Sequence, residues 1–218
     1  PPPPRLDSSA ASDVYKRQPQ RWAARAVAAF VLLSLPAANA FAHAQGEAAG
    51  AGFLDGFLHP LGGLDHVLAM LAVGMWGAQL GAPAIWLLPV AFPMVMALGG
   101  AAGIIGIPLP AVEIGITLSV LVLGSMIALA QRPPLAVAAL IVAFFAVFHG
   151  YAHGKELPGQ TSAVAYSAGF VIATGLIHLT GIGIGFVIKL PHGSTLLRLG
   201  GTAIAAAGLL LARQLLLG

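Results

Sequence analysis

Residues 134–153 read PLAVAALIVAFFAVFHGYAH, an apolar run of 20 residues that ends in two histidines. At 1.5 Å per residue, a helix of this length reaches about 30 Å, which is the thickness of the hydrocarbon core of a bilayer. The stretch therefore predicts an α-helix that crosses a membrane.

Five further apolar segments of similar length surround this one, and turn-forming prolines and glycines separate them. The predicted spans lie at about 63–81, 84–106, 112–131, 134–153, 162–188 and 196–217. No loop between them is long enough to hold a soluble domain. The sequence thus predicts an all-α fold, a polytopic membrane bundle of about six transmembrane helices over residues 43–218.

Composition supports a membrane protein and narrows the chemistry. Hydrophobic residues make up 58% of the chain and charged residues 8%, whereas soluble domains hold roughly one quarter charged residues. Cysteine is absent, so any metal must be held by imidazole, carboxylate, backbone or water. The net charge of +3 does not indicate nucleic-acid binding, because five of the ten basic residues fall within the first 25 positions.

The N-terminal segment is interpreted as processed sequence. Residues 1–18 are polar and proline-led, and we treat them as an extraneous leader; residues 19–42 resemble a secretory signal peptide. Its apolar core of about ten residues is too short to span a bilayer, which favours cleavage over the alternative of an uncleaved first helix. Cleavage after Ala42 would leave His43 at the mature terminus, where its imidazole and the free amine form a candidate metal-capture pair.

Basic residues predict the orientation of the bundle. With the mature N-terminus outside, Arg132, Lys189 and Arg198 fall on the cytoplasmic side. Lys155 and Arg213 then fall outside, so the positive-inside bias is three to two.

Glycines and tryptophans of the spans are predicted to have packing roles. The glycine-rich stretches 99–103 and 181–185 allow close helix packing in lipid. Trp76 and Trp86 lie near the ends of two spans and are predicted to anchor at the membrane interface.

Ionisable side chains at membrane depth cost roughly 2.5 to 3.5 kcal/mol each, so they mark functional positions. The first cluster is residues 59–66, HPLGGLDH, at the start of the first span. On a straight helix His59 and His66 would lie about 10 Å apart, too far for one ion. The proline and glycines between them predict a broken helix that brings His59 back towards His66. Asp65 is either a ligand or a group that orients an imidazole.

The second cluster is residues 148–156, FHGYAHGKE, at the end of the fourth span. His149 and His153 are four residues apart, so a helix presents both imidazoles on one face. Glu156 lies about one turn further on. Neutral imidazole suits nickel, cobalt, copper and zinc.

The remaining ionisable residues carry weaker signals. A single histidine is more often a satisfied structural residue, but four histidines in two compact clusters favour a metal path. His178, inside the fifth span, and Glu113, at the start of the third, are candidates for lining that path. Asp55 and His192 are expected to be solvated.

The stretch 59–76, HPLGGLDHVLAMLAVGMW, resembles the signature of the HupE/UreJ family. Residues 148–156 match the family's second signature, Phe-His-Gly-x-Ala-His-Gly-x-Glu. The segment 174–181, TGLIHLTG, is similar to the family's fifth span. The resemblance extends from the signal peptide to the C-terminus.

This resemblance implies a secondary permease of the bacterial inner membrane, not an enzyme, that supplies nickel for hydrogenase or urease maturation; some relatives handle cobalt. The implied transport residues are His59, Asp65, His66, His149, His153 and Glu156. The metal is transported substrate, and no permanently bound cofactor is expected. The expected partners are the divalent ion and the lipid bilayer, and no nucleic acid is expected. Formation of a homo-oligomer stays open.

Two other functions remain open from the residues alone. A membrane-embedded zinc hydrolase would use similar His and Asp clusters to activate water, although no His-Glu-x-x-His motif is present. A structural or proton-conducting membrane protein could use its histidines as a proton relay.

Overall fold

The computed structural model describes residues 48–156 and 163–217, and within them every regular element is helical. The α-helices are α1 (Ala48–Gly62), α2 (Leu64–Leu80), α3 (Ala84–Ile104), α4 (Val112–Ala128), α5 (Leu135–Lys155), α6 (Ala163–Gly185) and α7 (Gly193–Leu217). A short 3₁₀ helix, Phe186–Lys189, follows α6. The all-α prediction is confirmed for these residues. The leader, the signal peptide and His43 lie outside them and stay predictions.

The helices identify a multi-pass membrane protein. Four of them, α3, α5, α6 with its 3₁₀ extension, and α7, are long and apolar enough to cross a bilayer. A fifth span results if residues 52–62 and α2, which meet at an 81° bend, count as one. Helix α4 has 17 residues and reaches only about 26 Å. The described residues therefore give four or five candidate spans, and the count of six stays a prediction.

Large apolar side chains cover the outward faces of the helices. Leu98 is 71% exposed, Leu140 is 69% exposed and Met94 is 67% exposed. Soluble monomers rarely expose contiguous apolar patches of this kind. Lipid is the solvent in which such faces are stable. Trp86, 59% exposed near the start of α3, is compatible with its predicted place at the interface.

The prediction for Trp76 is wrong, because its side chain is fully buried. Its indole Nε1 donates a hydrogen bond of 3.1 Å to the carbonyl of Gln131. One turn further along α2, the Gln79 side chain donates to the carbonyl of Ile127, also at 3.1 Å. The last carbonyls of a helix lack partners within it. Helix α2 thus bonds one carbonyl in the last turn of α4 and one in the loop that follows it.

Glycines bring the backbones of neighbouring helices into contact, as the sequence predicts for the glycine-rich stretches. Gly150 and Gly154 of α5 lie against the backbone carbonyls of Met96 and Gly100 on α3. A Cβ atom at either glycine would collide with those carbonyls. Since apolar burial gives little drive for helix association in lipid, close packing of this kind stabilises the bundle.

Consecutive helices from α2 to α7 alternate in direction. Packing shows that α3 and α5 run parallel, as do α2 and α6, whereas α4 and α7 run antiparallel. One end of the bundle therefore collects the C-terminal ends of α3 and α5 and the N-terminal ends of α2 and α6. Both predicted histidine clusters lie at this end. Arg132, Lys189 and Arg198 lie at the other end.

Candidate metal centre

The first histidine cluster is folded around a break in the chain. Helix α1 ends at Gly62, and α2 begins at Leu64 after Gly63, which has an extended backbone. The two helices meet at 81°. His59 lies in the last turn of α1 and His66 in the first turn of α2. The predicted break between these histidines is confirmed.

The second cluster lies on the inner face of α5. His149 is fully buried and His153 is 8% exposed, although both are polar. Each is followed by a glycine that presses α5 against α3. The glycines of the Phe-His-Gly-x-Ala-His-Gly pattern therefore fix where the two imidazoles lie, which accounts physically for their place in the motif.

The imidazoles of both clusters meet in a single column. The His153 ring lies 4.8 Å from the His59 ring and 4.5 Å from the His66 ring, measured between centroids. The His66 ring lies 4.6 Å from the His149 ring. We call His59, His153, His66 and His149 the histidine column. It runs from partly exposed His59 to buried His149, so α1, α2 and α5 together provide one continuous set of nitrogen ligands.

The outer end of the column already has the spacing of a metal site. One ligand atom from each of His59, His153 and Glu156 lies within 4.8 Å of the others. The His59 Nε2 and a Glu156 carboxylate oxygen are 3.1 Å apart. In the segments that the structure describes, no other group of His, Asp and Glu side chains meets this spacing. Two imidazoles and a carboxylate suit nickel, cobalt or zinc.

Asp65 orients His66 in this geometry. One of its carboxylate oxygens accepts a hydrogen bond of 2.8 Å from the His66 ring at Nδ1, and another of 2.8 Å from the His66 backbone N–H. Because a carboxylate only accepts, Nδ1 carries the proton and Nε2 keeps its lone pair. A carboxylate behind an imidazole is the usual support of a metal-binding histidine.

Several nitrogens of the column are buried and find no hydrogen-bond partner within the described part of the chain. These atoms are Nε2 of His66, Nδ1 of His149 and both ring nitrogens of His153. Buried polar groups in native proteins almost always have partners, and an exception requires a cause such as an ion or water. A column of such nitrogens has the chemistry of a cation site.

Helix α6 contributes His178, which lies deeper in the bundle and is 2% exposed. Its Nδ1 donates a 2.8 Å hydrogen bond to the Thr174 carbonyl, which leaves Nε2 with the lone pair. The Phe92 ring separates it from the column, at 5.3 Å from the His178 ring and 5.4 Å from the His149 ring. Glu113 is exposed in the first turn of α4, apart from the column.

Two residues of the centre were not predicted from the sequence. Phe92 is a fully buried aromatic side chain between two histidines, and nothing in its apolar segment distinguishes it. Ser119 is fully buried, and its hydroxyl is 2.9 Å from Nε2 of His149. A hydroxyl within a membrane helix was the available signal for Ser119, because polar side chains in lipid need partners.

The sequence profile described as HupE / UreJ protein matches residues 21–211, which include every residue of the centre. The chain belongs to the HupE/UreJ family. It is 44% identical over 182 residues to Protein HupE of Rhizobium leguminosarum bv. viciae, covering 84% of this chain and 92% of that relative. No solved structure shows significant similarity to the chain. The family resemblance seen in the two histidine motifs is confirmed.

Proposed function

We propose that this HupE/UreJ protein is a secondary permease, and not an enzyme, that moves divalent nickel, or cobalt, across a bacterial inner membrane for hydrogenase or urease maturation. The observation that carries the proposal is the histidine column, in which imidazoles from three helices lead from the surface into the bundle. A closed structural site would hold its ion on one fixed set of ligands, whereas a column offers successive ligands.

The ion moves from the most exposed side chains of the site to the most buried ones. A hydrated cation first meets Glu156, which is 60% exposed, together with His59, which is 26% exposed. It then exchanges water for the imidazoles of His153, His66 and His149. His178 continues the path beyond Phe92. Glu113 and His43 are further pathway candidates, and no residue here acts as a catalytic group.

For the topology, we propose that α2 to α7 make six crossings. The alternating directions of these helices support this count, since each connection then returns the chain to the opposite membrane face. Three basic residues, Arg132, Lys189 and Arg198, share the end opposite the histidine column. The positive-inside tendency places that end in the cytoplasm. The histidine column and the N-terminus that follows a cleaved signal peptide are then periplasmic.

The test is uptake of radiolabelled nickel by metal-starved cells that express the wild type or His66→Ala at matched levels. Cobalt and zinc serve as competitors. His192→Asn is the control, because His192 is exposed at the other end of the bundle and Asn tolerates its positive φ of 59°. We expect uptake by the wild type and the control, competition by cobalt, and loss in His66→Ala.

No metal flux above that of empty cells would contradict the permease. In that case, retained zinc together with hydrolysis of an amide or ester substrate would point to a membrane-embedded hydrolase. Normal flux in His66→Ala would instead show that the column is not the path.

A further inference from the structure

We infer that the centre holds two cation stations, and that Ser119 is the positioning residue of the inner one. This inference rests on the proposed transport function and deepens it. The outer station is His59, His153 and Glu156, as described above. The inner station is made of nitrogens only, the buried Nε2 of His66 and the buried Nδ1 of His149.

The hydroxyl of Ser119, on α4, lies behind one ligand of the inner station. This hydroxyl donates a hydrogen bond of 2.6 Å to the carbonyl of Ile116, one turn earlier in the same helix. In the proposed arrangement the carbonyl of Ile116 keeps the single hydrogen of the hydroxyl, so towards His149 the serine oxygen accepts. The 2.9 Å contact with His149 is therefore a bond donated by the ring at Nε2.

The consequence of this bond is a fixed tautomer for His149. With the proton on Nε2, the lone pair belongs to Nδ1. That atom is buried, and the described residues provide it with no hydrogen-bond partner. The ring of His149 is in contact with the ring of His66, at 4.6 Å and 85° between their planes.

His66 shows the same arrangement on the other side of the station. Asp65 accepts the proton of its Nδ1, and the buried Nε2 keeps a lone pair without a partner among the described residues. Metal-binding histidines almost always donate the other ring N–H to an oxygen acceptor, which fixes the tautomer and the ring orientation. Ser119 and Asp65 are such acceptors, from different helices.

His153 connects the two stations. Its ring lies between the rings of His59 and His66, and both of its nitrogens are buried and unpaired within the described segments. A neutral imidazole has one lone pair, so His153 binds one ion at a time, and a change of tautomer turns that lone pair from the outer station towards the inner one. A cation would thus pass from a mixed nitrogen and oxygen ligand set to imidazoles alone.

The test combines stoichiometry with spectroscopy on the purified full chain in lipid nanodiscs, with Ni²⁺ and Co²⁺ as probes. Equilibrium dialysis should give two ions per wild-type chain. The outer variant, His59→Gln with Glu156→Gln, should keep one ion, and its X-ray absorption and cobalt spectra should indicate nitrogen ligands. Ser119→Ala should keep the outer ion and lose about 10- to 100-fold in affinity at the inner station. Ser119→Thr retains the hydroxyl and should restore that affinity.

A second readout addresses the tautomer directly. ¹⁵N shifts of labelled histidine should place the His149 proton on Nε2 in the wild type and in Ser119→Thr, and shift that population in Ser119→Ala. A merely structural serine would leave this population unchanged. Unchanged shifts together with wild-type affinity in Ser119→Ala would overturn the positioning role.

The stoichiometry separates this inference from the function on which it rests. A single ion in the wild type, lost equally in the outer variant and in His149→Ala, would overturn the inner station while the permease stands. Absence of both bound metal and cellular uptake in the wild type would overturn the permease itself. The outer variant keeps the inner station testable even if Ser119→Ala fails to fold.

Discussion

His66 and His149 belong to different helices, yet their imidazole rings meet edge to face with centroids 4.6 Å apart. The His66 ring donates to the Asp65 carboxylate, the Nε2 of His149 lies 2.9 Å from the Ser119 hydroxyl, and each ring has a second, buried nitrogen that lacks a partner among the described residues. The contact joins α2 to α5 at the centre of the histidine column. Side chains in such contact are expected to act on one ion, and their effects should not be independent.

The double variant His66→Ala with His149→Ala tests this coupling. Each single variant should lower nickel uptake by at least about 10-fold, and the double variant should be little worse than either, because groups that act as a unit are not additive. Initial uptake rates at matched membrane abundance measure the effect. Losses that multiply in the double variant would show that the two rings serve separate steps.

Asp65 should matter through the bond that it accepts from His66. We expect Asp65→Ala to lower metal affinity by about 10- to 100-fold, as found for groups that support metal-binding histidines. Asp65→Asn keeps an oxygen acceptor and should lose less. Isothermal titration with Ni²⁺ measures both, and Asp55→Asn, at an exposed position of α1, is the matched control. Equal losses in the Ala and Asn variants would show that the carboxylate charge, not the hydrogen bond, is required.

Gly150 should be intolerant of any side chain. A Cβ there meets the Met96 carbonyl, so Gly150→Ala must separate α5 from α3, at a cost of about 1 to 3 kcal/mol. Gly183→Ala is the control, since nothing lies within 4 Å of the place that its new methyl group would occupy and alanine is the better helix former by about 1 kcal/mol. Thermal unfolding followed by circular dichroism should show a lower midpoint for the first variant alone. Similar midpoints in both would contradict the close packing of α3 and α5.

Bound metal should stabilise the folded protein. At 100 times the dissociation constant, Ni²⁺ should add about 2.7 kcal/mol to the free energy of unfolding by mass action. His153→Ala should lower the increase, because the outer station loses one of its ligands, while His192→Asn should retain it. Mg²⁺ should have little effect, since it prefers oxygen ligands. The free energy of unfolding is measured with and without each ion. Equal stabilisation by Mg²⁺ would argue against imidazole ligation.

The sequence predicted the helical class, the break before α2 and the shared face of His149 and His153, because each depends on local spacing. The meeting of the two clusters depends on how α1, α2 and α5 pack, and local patterns do not encode it. Ser119 and Phe92 were missed for the same reason, since their roles exist only through partners on other helices. The resemblance to the HupE/UreJ signatures, compared residue by residue, assigned both clusters to one set of transport residues, which local spacing alone does not do.

The error for Trp76 has a related cause. An indole near a span end usually lies at the membrane interface. Here Trp76 turns inward and donates to the carbonyl of Gln131, in the loop after α4. A partner from another segment accounts for the position of this side chain, and that partner is not visible in the sequence around Trp76 itself.

The buried indole of Trp76 can serve as a fluorescent probe of α2. The chain has three tryptophans, at positions 22, 76 and 86. With the other two replaced by phenylalanine, the fluorescence of Trp76 would report the polarity around the same helix that carries His66 at its opposite end. The emission of a single native side chain could then follow, without any attached dye, whether α2 shifts each time an ion passes.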